Sequence, residues 1–430
     1  SYPLSLNLLI DIFIPIHSPT LMLRPCSSTL SAVALLLLGI VALVFADQWS
    51  PIPIDSVLET RYDQGATRVG GSLLLFGGLV GLKPPYYEVA NDTWAYRLLP
   101  HASPKWQPLA AQPLSAPPGR HGHTLAYGDV CGGGVPSVYL FGGNLGSTPT
   151  DTSRLSNELF RFQADAGRWV PVPVASRVSP APRFGHSATM LTLADNTTVM
   201  AVFAGRAATD MLDDLWYLRC ACGSGSSGDL CAYRWQFVGF GHPHNTWCWS
   251  RFYHGAAAIG AGDAMVVYGG AYAPNATSSP ASMQVLGDVW LFNTTAKLWT
   301  YLNITSSANA GMRYGHALAA VDHQSVAVFG GINEAGAYLN DLWLLWPPPS
   351  SLPSPPSSSS SATTPSGWSW QQVFARGQKP ARRMRASFEF LGGSWHTKNA
   401  TLLLFGGRDG PFTYNGTTSH SPTISLSLTD

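Results

Sequence analysis

Residues 120–143 read Arg120-His121-Gly122-His123, then TLAYGDVCGGGVPS, then Val138-Tyr139-Leu140-Phe141-Gly142-Gly143. A short apolar run closed by paired glycines reads as a strand buried on both faces. Glycine lacks a Cβ, so the chain can turn steeply there or approach a neighbour closely. Arg openings like this one recur six times: Arg61-Tyr62-Asp63-Gln64, Arg120-His121-Gly122-His123, Arg183-Phe184-Gly185-His186, Arg251-Phe252-Tyr253-His254, Arg313-Tyr314-Gly315-His316 and Arg382-Arg383-Met384-Arg385. Their spacings are 59, 63, 68, 62 and 69 residues. Each opening is followed by an apolar strand ending in small residues: LLLFGG at 73–78, VYLFGG at 138–143, MAVFAG at 200–205, MVVYGG at 265–270, VAVFGG at 326–331 and LLLFGG at 402–407.

Two more strands complete each unit. An acid and an aromatic residue two positions later mark the third: Asp92 and Trp94, Glu158 and Phe160, Asp214 and Trp216, Asp288 and Trp290, Asp341 and Trp343. A tryptophan marks the fourth: Trp106, Trp169, Trp235, Trp299 and Trp370. Four strands in roughly 60 residues match a propeller blade. The expected fold is all-β, a six-bladed β-propeller with four-stranded antiparallel blades. No blade buries both faces alone, so the aromatics are expected to wedge between neighbours. The opening arginines and third-strand acids are expected to pair through buried hydrogen bonds, because an unpartnered buried charge is costly. The last unit lacks a later Trp, but Trp49 precedes Arg61 by 12 residues. Residues 48–54 are therefore expected to supply the outer strand of blade six and close the ring, with Ile424 to Leu428 as its third strand.

This succession resembles the kelch motif of the galactose-oxidase-like propeller superfamily, over residues 48–430. The resemblance implies a binding scaffold and is a poor guide to chemistry. Galactose oxidase builds a copper site from Tyr, His and a modified Tyr, a set that cannot be placed here. Secreted sialic-acid mutarotases are the enzymatic alternative, with Arg206, Glu334 or Arg408 supplying polar groups around a central pocket. The expected function is a secreted, non-catalytic kelch scaffold for protein–protein or protein–glycan interaction, and the alternative is a mutarotase, epimerase or oxidase acting on sugars. No HExxH, G-x-S-x-G elbow or phosphate-cradling loop occurs, and only five Glu are present. No cofactor and no metal are expected.

Charged residues form only 11% of the chain, while Gly (43), Pro (33) and Trp (15) abound, which suits short strands and turns rather than amphipathic helices. The formal charge of +1 supplies no field for nucleic acid or anionic membrane. Residues 1–21 precede Met22 and read as untranslated sequence or a disordered leader. Residues 22–46 carry Arg24 and an apolar run from Leu30 to Phe45, the pattern of a cleaved signal peptide. An uncleaved membrane anchor is the alternative, although the run is shorter than a span of about 20 residues. The mature propeller is then 47–430, outside the cell. Seven sequons agree with export, at Asn91, Asn196, Asn275, Asn293, Asn303, Asn399 and Asn415. Asn196, Asn275, Asn293 and Asn399 fall in turns of the repeat and are the expected glycan carriers. Cys220, Cys222, Cys231 and Cys248 are expected to form disulfides, either 220–231 with 222–248 or 220–248 with 222–231, which leaves Cys131 unpaired. Zinc on these four is the less favoured reading, since no paired C-x-x-C occurs.

In kelch blades the loops between strands two and three share a face with the blade-to-blade connections. Candidate ligand residues on that face are Tyr86, Tyr87, His244, Trp247, Trp249 and Tyr272, with Arg206 and Arg408 nearer the channel. The bland alternative for Trp247 and Trp249 is a small core beneath a loop. His123, His186, His254 and His316 recur one per blade, too dispersed for one ion, and are expected to be structural donors to backbone carbonyls. The segment 347–366, PPPSSLPSPPSSSSSATTPS, is a solvated Pro/Ser-rich loop insert.

Overall fold

In the computed structural model, residues 48–427 are described except 52–57, 84–85, 98–105, 110–115, 134, 149–150, 165, 223–230, 242–249, 274–282, 305, 349–366, 393–400 and 409–423. The chain divides into two units, Ser1–Phe45 and Ala46–Asp430. The first unit lies outside the described residues, and with it the leader, signal-peptide and anchor expectations. The Pro/Ser-rich insert also lies outside them, apart from its first two residues.

Every regular element described is a strand. The first sheet holds Gly65–Val69, Ser72–Phe76, Thr93–Arg97 and Trp106–Leu109 in sequence order. The second holds Thr124–Gly128, Ser137–Phe141, Leu159–Gln163 and Arg168–Pro171, and the third Ser187–Thr192, Thr198–Arg206, Met211–Cys222 and Cys231–Phe240. The fourth contains Gly255–Ile259, Ala264–Tyr272, Gln284–Asn293 and Leu298–Tyr301. The fifth is built on Ala317–Ala320, Val326–Asn333, Tyr338–Trp346 and Ser369–Val373. In the sixth, Ser387–Gly392, Thr401–Phe405 and Ile424–Ser427 are joined by Gln48–Pro51 from the other end of the chain. Trp49 pairs antiparallel with Leu426 and parallel with Gly377. A small seventh sheet joins Arg61–Tyr62 to Leu79–Lys83 and Tyr86–Val89.

The second strands form the core, because each is covered on both sides by other sheets. Leu75, Phe76, Leu140, Phe141, Val202 and Phe203 are all fully buried. The recurrent aromatics are arranged uniformly. Trp169 packs on Phe76, Trp235 on Phe141, Trp299 on Phe203 and Trp370 on Tyr268, with ring centroids 5.5, 4.9, 4.7 and 4.8 Å apart. Each fourth-strand Trp thus covers the second-strand aromatic of the preceding sheet. Trp49 stands on Phe329 at 5.4 Å and Trp106 on Phe405 at 4.7 Å, in the same relation. Such edge and tilted contacts add about 0.5–1.5 kcal/mol each beyond area burial.

The glycine pairs are required by these contacts. Gly77 has φ +64°, and a Cβ there would lie 2.6 Å from the Arg120 carbonyl oxygen. In the third sheet Ala204 occupies this position with φ +57°, a strained conformation for a residue with a side chain.

Candidate functional site

The repeat arginines build a polar skeleton inside each unit. Arg183 is fully buried. Its Nη1 and Nη2 donate to Asp214 Oδ1 and Oδ2 at 2.6 and 2.7 Å, and Nη1 also donates to Ala204 O at 3.0 Å. Arg61 holds Asp92, Arg251 holds Asp288 and Arg313 holds Asp341 in the same bidentate way, which fits the planar fork of guanidinium. Trp94, Trp216, Trp290 and Trp343 each donate Nε1 to the same acid. The second unit has Phe160 instead, and there Ser156 Oγ donates to Glu158 while Arg120 binds through Nη2 alone. Burial pushes the Asp92 and Asp341 carboxyls up, but the Arg61 and Arg313 hydrogen bonds and charges outweigh it and hold both below the usual range.

The last unit corrects the sequence register. Arg382 is exposed, whereas Arg383 is 1% exposed and donates Nη1 to Gly406 O at 2.8 Å and Nε to Ala381 O at 3.1 Å. These are the contacts that Arg183 makes to Ala204 O and Ala181 O. Two adjacent arginines offered two registers, and only the backbone carbonyls select between them. The shift by one puts Met384, Arg385 and Ala386 where the other units have the three residues after the repeat Arg.

Those residues converge between the six units. Asp63 N–H donates to Arg385 O, Arg385 to Gly315 O, Gly315 to Tyr253 O, Tyr253 to Gly185 O, Gly185 to Gly122 O, and Gly122 back to Asp63 O, at 2.6–3.2 Å. Three units keep Gly at this position, and the other three place Asp63, Tyr253 and Arg385 there. Their side chains meet across the cycle. Asp63 Oδ2 accepts from Tyr253 OH at 2.9 Å, lies 2.8 Å from His121 Nδ1 and receives Arg385 Nη1 at 3.3 Å. The Arg385 guanidinium lies over the Tyr253 ring at 3.8 Å. Burial alone would raise the Asp63 carboxyl, but Arg385, His121 and Tyr253 together lower it to about 2. A space of 140 Å³ adjoins this stopper, with Gln64, His123, His186, His254 and His316 on its walls.

The four histidines wedge between sheets. Each ring faces the second-strand aromatic of the sheet before it: His123 with Phe76, His186 with Phe141, His254 with Phe203 and His316 with Tyr268. His186 Nε2 lies 3.0 Å from Thr124 Oγ1 and His254 Nε2 2.9 Å from Ser187 Oγ, so these two rings meet hydroxyls of the neighbouring sheet where backbone carbonyls were expected, and their Nδ1 atoms have no hydrogen-bond partner among the described residues. The matching positions before His123 and His316 are Gly65 and Gly255, where a Cβ would lie 2.6 and 2.8 Å from ring Nε2. Gln64 replaces His in the first unit, and its Nε2 donates to Ser387 Oγ and Phe405 O of the sixth sheet. Burial keeps all four imidazoles neutral, lowering His123 and His316 to about 3 and His186 and His254 well below the ordinary value.

Next to the stopper lies a layer of backbone bridges, termed the mouth. Here the residue after each repeat Arg bridges to the continuation of a second strand, as His121 does to Asn144, Phe184 to Arg206, Phe252 to Ala271 and Met384 to Arg408. Arg206 lies 5.9 Å over Phe252 and Arg408 5.8 Å over Tyr62, both half-buried. Phe184, Phe252, Tyr253 and Ala271 form a buried apolar cluster, with half-buried Leu155, Met211, Met283 and Tyr314 packed against it. Of the eight ligand residues expected from sequence, Arg206 and Arg408 thus occupy equivalent positions of the third and sixth units in this layer. Tyr272 is half-buried at the end of its strand, paired with Gln284. Tyr86 and Tyr87 lie on a strand but their side chains are outside the described residues, as are His244, Trp247 and Trp249.

The cysteine expectation is overturned. Cys131 is bonded to Cys220, with Cα atoms 4.7 Å apart and 89 residues between them in sequence. Cys131 is therefore not unpaired, and Cys220 is taken from both expected pairings. Cys131 follows the inner strand of the second sheet and Cys220 lies on the third strand of the third sheet, so stacking of adjacent sheets joins residues that sequence proximity does not. Cys222 and Cys231 are register partners across that sheet, and Cys248 lies outside the described residues. Among the sequons, Asn91, Asn196, Asn293 and Asn303 are exposed, while Asn275, Asn399 and Asn415 lie outside the described residues.

Sequence reading passed over the residues of the stopper. The available signal was three non-glycine residues, Asp63, Tyr253 and Arg385, at a position that is Gly in the other units. It also passed over Glu389 on the inner strand of the sixth sheet. Desolvation pushes this carboxyl up to about 8 against the opposing charge of Arg68, whose Nη1 donates to Phe390 O at 3.1 Å.

Repeated four-stranded sheets, the Arg–acid pairs and the Gly-Gly turns define a protein built from kelch repeats. The KLHDC2/KLHL20/DRC7 Kelch-repeats domain matches residues 135–351. The chain belongs to the kelch-repeat family. It is similar to human host cell factor 2, with 31% identity over 162 residues, covering 35% of this chain and 18% of that protein. Human host cell factor 1 is 32% identical over 159 residues, covering 35% and 7%. Adagio-like protein 1 of Oryza sativa subsp. japonica is 32% identical over 147 residues, covering 33% and 20%. The chain thus spans a fifth or less of the length of these relatives.

Proposed function

We propose that the chain is an exported, six-bladed closed propeller that serves as a non-catalytic scaffold, with a protein partner docking at the Arg206–Arg408 mouth. The cycle of six backbone hydrogen bonds, the Trp49 strand in the last sheet and the uniform Trp-on-aromatic stacking support the closed ring of six. Export rests on the apolar Leu30–Phe45 run and the sequons.

One observation carries the scaffold reading. The space where the six openings converge is 140 Å³ and is stoppered by Asp63, Tyr253 and Arg385, whereas small-molecule sites usually measure about 300–1,000 Å³. What the mouth offers instead is two half-buried guanidinium groups together with half-buried Met211, Met283 and Tyr314, a composition suited to protein interfaces.

The test is affinity capture with the purified full chain and with an Arg206→Ala/Arg408→Ala variant, beside a glycan array and assays of free-sugar turnover. A protein captured by the parent and released at least about tenfold faster from the variant supports the reading. Glycan binding alone, or sugar turnover without any captured protein, overturns it.

A further inference from the structure

A cavity of 680 Å³ lies away from the mouth, between the second and third sheets. Asp129, Asp195, Arg219 and Arg234 line it with charge, and the Cys131–Cys220 bond forms part of its wall. So do Asn196, Thr197 and Thr198, a complete Asn-x-Thr acceptor sequence. The turn that carries Asn196 is well braced. Asn196 has φ +60°, a left-handed conformation that Asn tolerates, and its N–H donates to Leu193 O. Thr197 N and Oγ1 both donate to Asp195 Oδ1, while Arg219 Nη2 reaches across from the third strand to Asp195 Oδ2 at 3.5 Å and Thr197 Oγ1 at 3.4 Å. The acceptor asparagine is thus exposed at the tip of a fixed turn on the rim of a polar groove that holds the interblade disulfide.

We infer that Asn196 carries an N-linked glycan whose first N-acetylglucosamine residues lie in this groove and shield the Cys131–Cys220 bond from reductants. The volume is in the range that accommodates a small ligand. Its carboxylates and guanidinium groups can accept from and donate to sugar hydroxyls and acetamides. Thiol–disulfide exchange requires a thiolate to approach a sulfur in line, so a sugar seated over the wall would slow it. The inference rests on the proposed export, which alone would bring the chain to the glycosylation machinery.

The full chain is expressed in a eukaryotic secretory host, and site occupancy is read by glycopeptide mass spectrometry. Reduction of the Cys131–Cys220 bond by a soluble dithiol is timed under native conditions for the parent, for enzymatically deglycosylated protein, and for Thr198→Ala, Thr198→Ser and Asn293→Gln. Deglycosylated protein and Thr198→Ala should be reduced on the order of tenfold faster, while Thr198→Ser, which keeps the acceptor sequence, and Asn293→Gln should match the parent. Acceleration by deglycosylation of an already folded protein excludes a folding defect as its cause. A glycan at Asn196 without any change in reduction rate overturns the inference alone, as does an empty Asn196 beside occupied Asn293 or Asn303. Absence of glycan from every sequon overturns the export reading together with it.

Discussion

Truncating the acid of the third unit should be far more damaging than truncating that of the second, although both answer a fully buried arginine. Asp214→Ala removes the acceptors of three hydrogen bonds, from Arg183 Nη1 and Nη2 at 2.6 and 2.7 Å and from Trp216 Nε1 at 2.6 Å. The Asp214 side chain is only 13% exposed, so water has little access to the stranded guanidinium. Leaving a buried charge without its partner costs about 3–5 kcal/mol. Glu158, by contrast, has a side chain 51% exposed and accepts from Arg120 Nη2 and from Ser156 Oγ. Water can replace it, and Glu158→Ala should cost about 1 kcal/mol, the range of a solvent-exposed pair. The assay is urea unfolding followed by far-ultraviolet circular dichroism and tryptophan fluorescence, accepted where both transitions coincide. A third variant, Arg183→Met/Asp214→Leu, should regain at least half of the Asp214→Ala loss, because it removes the stranded charge. Equal losses for Asp214→Ala and Glu158→Ala, or a double variant weaker than Asp214→Ala, would refute the view that desolvated charge dominates these pairs.

Further outcomes follow from the same structure. Glu389 has its folded pKa raised to about 8, so the folded form keeps a proton that the unfolded chain releases above about 4.5. Its contribution is fully present below about 4.5 and is lost as pH rises through 8, with an upper bound of about 5 kcal/mol at ~1.4 kcal/mol per pH unit. Glu389→Gln should therefore become progressively more stable than the parent from pH 5 to pH 8, and parallel pH curves would contradict the assignment. The four neutral imidazoles act on the acid side, since His123 and His316 are lowered to about 3 while the unfolded chain takes up protons below about 6.5. Stability of the parent should fall below that pH, as thermal melts across pH 4–7 would show. Ala204→Gly should raise stability by roughly 0.5–1 kcal/mol by removing a side chain from φ +57°, measured by the urea midpoint. Trp49→Ala empties a core position that is 2% exposed and should cost about 3–5 kcal/mol. Amide exchange should then accelerate first in Ile424–Ser427, the strand that Trp49 pairs with, and uniform acceleration across all sheets would argue against a local latch.

The sequence alone determined the units. Apolar runs buried on both faces, Gly-Gly turns and the Arg–acid–Trp succession are local and repeated, so all-β class, strand order within a unit and the position of Trp49 beside the last strands were legible from residue spacing. Tertiary structure decided what joins one unit to the next. The choice of Arg383 over Arg382 depends on which guanidinium reaches the Gly406 and Ala381 carbonyls, and backbone carbonyls carry no side-chain signature. Cys131 and Cys220 meet because sheets stack, a contact between residues 89 apart that proximity in sequence argues against. Asp63, Tyr253 and Arg385 read as three unrelated exceptions to a glycine until one cycle of hydrogen bonds brings them together across it. A repeat fixes interactions within its own period, whereas a site made by one residue from each of several periods exists only once the units are arranged in space.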